Sequence, residues 1–237
     1  MDMTTEMLAR PSALGAAETV RALWRLLAMK CPATAGHAAR CAQHARALAE
    51  QLRLPPAEIE ILGMAALLHD LGKIGVPDSV LQKPGPLTEV EWHLMRQHPV
   101  LSHSVLAGMD GFSDVLPLVR HHHEHFDGSG YPDGLSGEDI PIGSRIILVI
   151  DAFDAMTTDR PYREAMPVAI AAKELVRCSG SQFDARVVRA FLLILCGLGH
   201  SRPLVCSRPG GHPEPFSADG GGDSPVDVRT PEPAQVA

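Results

Sequence analysis

Apolar positions recur along most of the chain with the period of an α-helix. Val20, Leu23, Trp24 and Leu27 fall at i, i+3, i+4 and i+7, which places them on one stripe. An Ala-rich helix is predicted over 34–52, stopped ahead of Pro55-Pro56. A third begins near Pro56, carries Ile59, Leu62, Ala66 and Leu67, and meets a natural stop at Gly72. Thr88 and Glu91 have the spacing of a capping box and open a fourth helix, which Pro99 breaks after His98. A fifth is predicted over 114–124. Residues 127–141 hold four Gly and two Pro in fifteen positions, the composition of a turn-rich loop. The run Arg-Ile-Ile-Leu-Val-Ile at 145–150 suits a buried strand as well as a helix. Its continuation through Ala152, Phe153, Ala155 and Met156 favours the helix. Asp184 then caps a last helix ending near Cys196.

The pattern therefore predicts an all-α fold with no alternating strand–helix order. Residues 200–237 contain five Gly and seven Pro in 38 positions and show no hydrophobic period, so a disordered tail is expected there. With residues 1–15 read as a flexible N-terminus, 16–199 is left as a single folded domain.

Composition narrows the function. The 21 Lys and Arg against 28 Asp and Glu give a formal net charge of -7, the wrong sign for a nucleic-acid reader. Aromatic residues are 4%, too few for a base-stacking platform. The longest apolar run, 190–199, falls well short of the roughly 20 residues a membrane helix needs. The start has no charged segment followed by an apolar one, so secretion is not signalled and a cytoplasmic location is predicted. The five cysteines are scattered and odd in number, which fits buried thiols in a reducing compartment.

Histidine is the exception. Ten of the twelve lie between His37 and His125. Ala65, Ala66, Leu67 and Leu68 lead directly into His69-Asp70, so an imidazole and a carboxylate emerge from a buried face. Burying an ionised carboxylate is costly unless it is paired or bound to metal. Neighbours on a helix point about 100° apart, so both can approach one centre from different sides. His37, His98 beside Pro99, the cluster His121, His122, His123 and His125, and Asp151 with Asp154 add further ligand types. Any one of these alone fits a satisfied core or surface residue. Together they fit a site for Fe, Mn, Zn or a similar ion.

The motif His69-Asp70-Leu71-Gly72-Lys73-Ile74-Gly75-Val76-Pro77 resembles the signature of the HD metal-dependent phosphohydrolases. The stretch His122-His123-Glu124-His125-Phe126-Asp127-Gly128-Ser129-Gly130-Tyr131-Pro132 is similar to that of the HD-GYP subgroup. Lys83-Pro84-Gly85, Arg145-Ile146, the segment from Asp151 to Thr157, and Asp159-Arg160-Pro161-Tyr162-Arg163 continue the likeness in order. It spans roughly residues 31–195. The resemblance implies an HD-type helical bundle with a dinuclear metal site, filled by iron or manganese, and cyclic di-GMP phosphodiesterase activity. On it, one ion would take His37, His69, Asp70 and Asp151, and a second Asp70, His98, His122 and His123. Asp70 and Lys73 would be catalytic, Lys73 also holding a phosphate oxygen. Gly130, Tyr131 and Pro132 would shape the loop beside the substrate, and Arg145, Arg160 and Asp127 would contact the substrate or support that loop, with Asp154 as an additional candidate. Expected partners are cyclic di-GMP and proteins with GGDEF or receiver domains.

The likeness has departures. Some members of the family hold a third ion through a Glu one turn before the first His, where this chain has Ala33. His125-Phe126 stands where an Arg-Trp pair is usual. His121 reads as a bystander. Two other functions compete: hydrolysis of a different nucleotide, and a catalytically weak nucleotide-sensing or protein-binding module.

Overall fold

The structure, a computed structural model, describes residues 13–159 and 164–197. Arg160, residues 1–12 and the expected tail lie outside them.

Among the described residues ten helices run in the order α1 (Ala13–Lys30), α2 (Pro32–Gln51), α3 (Pro56–Leu68), α4 (Asp78–Leu81), α5 (Glu89–Met95), α6 (His98–Ala107), α7 (Leu116–Arg120), α8 (Ile142–Thr157), α9 (Val168–Arg177) and α10 (Ala185–Leu195). Two short 3₁₀ turns, Leu71–Gly75 and Gly137–Asp139, complete the described elements. Among the described residues no strand forms; the ambiguous run at 145–150 lies within α8.

The centre of the bundle is α2, packed on α1, α3, α8 and α10. Its buried face is Ala35, Ala38, Cys41, Ala45, Leu48 and Ala49, spaced by three and four residues. The small side chains let α3 and α8 approach closely. Every residue of α8 from Gly143 to Met156 is buried, which explains a sequence without a polar face. Phe153 of α8 meets Phe191 of α10 edge to face at 4.9 Å.

Helix starts follow the expected chemistry. Both halves of the Thr88–Glu91 capping box form, and the Asp184 carboxylate accepts from the Arg186 amide at 2.7 Å. The fourth expected helix is divided into α5 and α6 at Arg96 and Gln97, ahead of His98 and not after it, and Pro99 occupies the second position of α6.

Two differences matter. The helix expected over 114–124 ends at Arg120. Beyond it the backbone bonds turn to the glycine-rich loop: the Tyr131 amide donates to the His123 carbonyl at 3.1 Å and that of Gly128 to His125 at 2.9 Å. The helices α4 and α9 were not expected. The first is four residues long, too short for any periodicity, and α9 buries only Ala171 and Leu175.

Candidate metal centre

Three histidines are set by the same local device. The Nδ1–H of His69 donates to the Ala66 carbonyl, that of His98 to Met95 and that of His122 to Val119, each at 2.8 Å. Each acceptor lies three residues upstream, at the end of α3, α5 or α7, where helical carbonyls are left without intrahelical partners. The bond fixes the tautomer, so each Nε2 carries a lone pair aimed into one space.

These rings and Asp70 form two adjoining groups, His37–His69–Asp70 and His98–His122–His123, all of them buried or nearly so. Asp70 belongs to both surroundings. Its Oδ2 is 3.5 Å from His69 Nε2, and its Oδ1 is 3.3 Å from His98 Nε2. Asp151, from the middle of α8, brings Oδ1 to 2.8 Å from His37 Nε2. Ring centroids are 4.9 Å apart for His69 and His122, and 4.1 Å for His122 and His123.

The donor set fits divalent cations. His98 Nε2 and His122 Nε2 face each other at 3.2 Å. With both Nδ1 atoms donating to carbonyls, both Nε2 atoms are acceptors, so two neutral rings repel there unless a positive charge joins them. His69 Nε2 and Asp70 Oδ1 are buried without a hydrogen-bond partner, a cost of about 1–3 kcal/mol each that a cation would remove. Burial and the Lys73 charge push His98 down to about 4. Burial and the surrounding imidazoles hold His122 and His123 well below the ordinary value. All three are therefore neutral at physiological pH, the form that ligates. Burial would raise Asp70, but the Lys73 charge beside it is the largest opposing cause, and the carboxylate stays well below its ordinary range. Nitrogen and carboxylate donors without thiolate suit Fe, Mn or Zn.

Other predicted residues fall at varied distances from this centre. Lys73 donates to Asp70 Oδ2 at 2.9 Å from the 3₁₀ turn that follows the His69-Asp70 pair. Tyr131 stacks on His123, with centroids 4.9 Å apart and planes 25° apart, and its buried hydroxyl has no partner. Gly130 admits no side chain, since a Cβ there would lie 2.2 Å from the His125 amide. Pro132 follows Tyr131 through a cis peptide. Asp127 is spent on the loop itself, accepting from the Ser129 amide and hydroxyl. Arg145 is buried and tied to Asp184 at 2.7 Å, which joins α8 to the start of α10. Asp154 lies on the far side of His37, bonded to its Nδ1 and to Arg40. His121 turns outward to Asp133.

Three supporting residues escaped the sequence reading. Ser102 accepts from the Gly72 amide and donates to the His69 carbonyl, both at 2.8 Å. Buried Glu124 accepts from the Asp133 and Gly134 amides and so pins the loop carrying Tyr131. Arg40 is the third. Ser102 and Arg40 had no signal beyond an ordinary polar residue on a helix; Glu124 stood inside the motif but carried no ligand chemistry of its own.

Residues 21–187 match the HD domain family. The chain belongs to that family. Among curated proteins, it is 45% identical over 177 residues to the cyclic di-GMP phosphodiesterase response regulator RpfG of Xanthomonas campestris, covering 74% of this chain and 47% of that one. It is 41% identical to the 3'3'-cGAMP-specific phosphodiesterase 3 of Vibrio cholerae, over 63% of this chain and 32% of the relative. The chain thus spans about half or less of the length of these relatives. Among solved structures, Bd1817, an HDG"Y"P protein from Bdellovibrio bacteriovorus, superposes with a TM-score of 0.56 at 24% identity, covering 67% of this chain and 51% of that one. The HD domain of Listeria monocytogenes PgpH, solved with cyclic-di-AMP, gives 0.53 at 17% identity, over 78% of this chain and all of that domain. No helix among the described residues is long and apolar enough to cross a membrane.

Proposed function

We propose that this chain is a metal-dependent phosphodiesterase that hydrolyses cyclic di-GMP to linear pGpG. Two divalent ions, iron or manganese, would be held by His37, His69, Asp70 and Asp151 and by Asp70, His98, His122 and His123. The observation that carries this reading is Asp70, buried between two groups of histidines with one carboxylate oxygen lacking any hydrogen-bond partner. Bound ions of this kind supply Lewis acidity and an activated water near neutral pH.

The chain's own residues do the rest. Lys73 brings a fixed positive charge beside the shared carboxylate, where it holds a phosphate oxygen and stabilises charge that builds up in the transition state. Tyr131, stacked on His123, forms one wall beside the ions. Gly130 and Pro132 shape the loop, and Glu124 anchors it. Arg145 and Asp127 support this frame from outside the centre. Arg160 completes the substrate-facing set by its place in the motif alone.

A second reading, hydrolysis of 3'3'-cGAMP, is favoured by the identity of 41% to a relative that bears that name. A receiver-type input has the name of the Xanthomonas relative behind it, whereas a GGDEF partner and a cytoplasmic location rest on the sequence alone. Protein reconstituted anaerobically with Mn²⁺ or Fe²⁺ should convert cyclic di-GMP to pGpG faster than 3'3'-cGAMP or cyclic di-AMP. A preference for 3'3'-cGAMP would establish the second reading. Turnover of none would defeat both.

A further inference from the structure

His37 differs from three of the other candidate ring ligands in how it is held. His69, His98 and His122 each use a carbonyl three residues upstream at a helix end. His37 lies inside α2, where the preceding carbonyls are committed to the helix and cannot turn to a ring. Its Nδ1 instead meets Asp154 Oδ2 at 2.6 Å, across from α8. The carboxylate is 3% exposed, a position that costs several kcal/mol unless it is paired. Arg40, one turn after His37, makes that pair: Nε to Oδ1 at 2.6 Å and a terminal nitrogen to Oδ2 at 2.8 Å. A fork-to-fork contact of this kind occupies both oxygens at once.

The same carboxylate, with His37 and Cys41, also has the spacing of a metal site of its own. One observation opposes that use: the guanidinium already covers both oxygens.

We propose that Arg40 and Asp154 are positioning residues: the guanidinium serves as the resident cation of the carboxylate, and Asp154 thereby orients His37 through Nδ1 instead of binding an ion itself. Nε2 of His37 is left directed at Asp151 and the centre. This inference rests on the metal-centre reading above. It also gives a physical reason for two ions where Ala33 replaces a carboxylate, because an arginine already fills the next cation position.

The test is Mn²⁺ binding to metal-free full-length protein, followed by titration calorimetry and by the EPR signal of free Mn²⁺. Wild-type protein should take two ions. Arg40→Ala and Asp154→Asn should each weaken one of them by about ten- to hundredfold, the usual effect of removing an outer partner of a ligating histidine. The double variant should be no worse than the weaker single one, since both act through His37. Arg40→Lys should recover only part of the loss, because an ammonium cannot bridge both oxygens. The melting temperature of the metal-free double variant should stay within a few degrees, because the buried charge leaves together with its partner, which separates positioning from a general folding defect. Wild-type affinity in both single variants would overturn the inference alone. A third tightly bound ion in wild-type protein would also overturn it, since the guanidinium would have to release the carboxylate. Failure of wild-type protein to bind any Mn²⁺ would overturn the metal-centre reading and this inference with it.

Discussion

Ser102 of α6 donates its hydroxyl hydrogen to the His69 carbonyl and accepts from the Gly72 amide, both at 2.8 Å. One buried hydroxyl thus clamps the turn that carries His69, Asp70 and Lys73. Ser102→Ala leaves two backbone groups buried without partners, at a cost of about 1–3 kcal/mol each. A lower urea midpoint and weaker Mn²⁺ binding are expected together. Urea unfolding of metal-free protein checks the first, and an unchanged midpoint would show that water or a backbone shift replaces the hydroxyl.

Gly72 sits where the same turn presses on α6. A Cβ there would lie 2.1 Å from the His98 carbonyl oxygen and 2.7 Å from the Ser102 amide, and neither backbone atom can move without dragging a ligand. Gly72→Ala should therefore fail to fold stably or lose Mn²⁺ binding. Gly108 is the control, because nothing lies within 4 Å of an added Cβ and its φ is -86°. Gly108→Ala should change stability by less than about 1 kcal/mol. Melting curves of the two variants side by side make the comparison.

Metal-free protein should lose stability in mild acid. In the unfolded chain, imidazoles titrate near 6.5. In the folded chain burial holds His98 at about 4 and His122 and His123 well below the ordinary value. Between 6.5 and about 4 the unfolded state therefore binds more protons, so the free energy of unfolding falls as pH falls. His37 works in the opposite sense: burial would lower it, but Cys41, Asp151 and Asp154 raise it overall, so its contribution is present in acid and lost as pH rises through its folded pKa. Three histidines against one decide the direction. The urea midpoint should be lower at pH 5 than at pH 7, and a higher one at pH 5 would contradict the burial of these rings.

Much of this arrangement was legible in the sequence because it is local. Helix stripes, the capping box and the Pro99 break are set by residues within a turn of each other, and each leaves a spacing to read. A candidate metal site was legible because imidazole and carboxylate are poor choices for an apolar run without a cation, while the proposed ligand set rests on the family resemblance. Long-range relationships were not. Nothing near Arg40 in sequence announces Asp154, 114 residues away, and Ser102 looks like any helical serine until α6 is laid against the turn. Arg145 shows the reverse. It follows the family pattern, yet its charge is used by Asp184 inside the core. The end of α7 was misplaced because the loop amides of Tyr131 and Gly128, not helix amides, claim the His123 and His125 carbonyls.

Lys73→Met should separate ion binding from turnover. The lysine is buried, and its ammonium lies 2.9 Å from Asp70, but a protonated amine cannot ligate. Methionine keeps most of the stem. Measured on metal-loaded protein, where bound cations compensate the Asp70 charge, the ion count should hold while the hydrolysis rate drops by about 10²–10³. A normal rate with a full ion count would mean that the lysine serves only as the counter-charge of Asp70.

The most direct test of the central claim is Asp70 itself. Wild-type and Asp70→Ala protein, each loaded anaerobically with Mn²⁺ and desalted, are assayed for bound metal and for conversion of cyclic di-GMP to pGpG. Because this carboxylate lies within 3.3 Å of His98 and 3.5 Å of His69, its removal should strip metal from both groups and abolish hydrolysis, while wild-type protein retains two ions and turns over. An Asp70→Ala protein that keeps its ions and its rate would contradict the account.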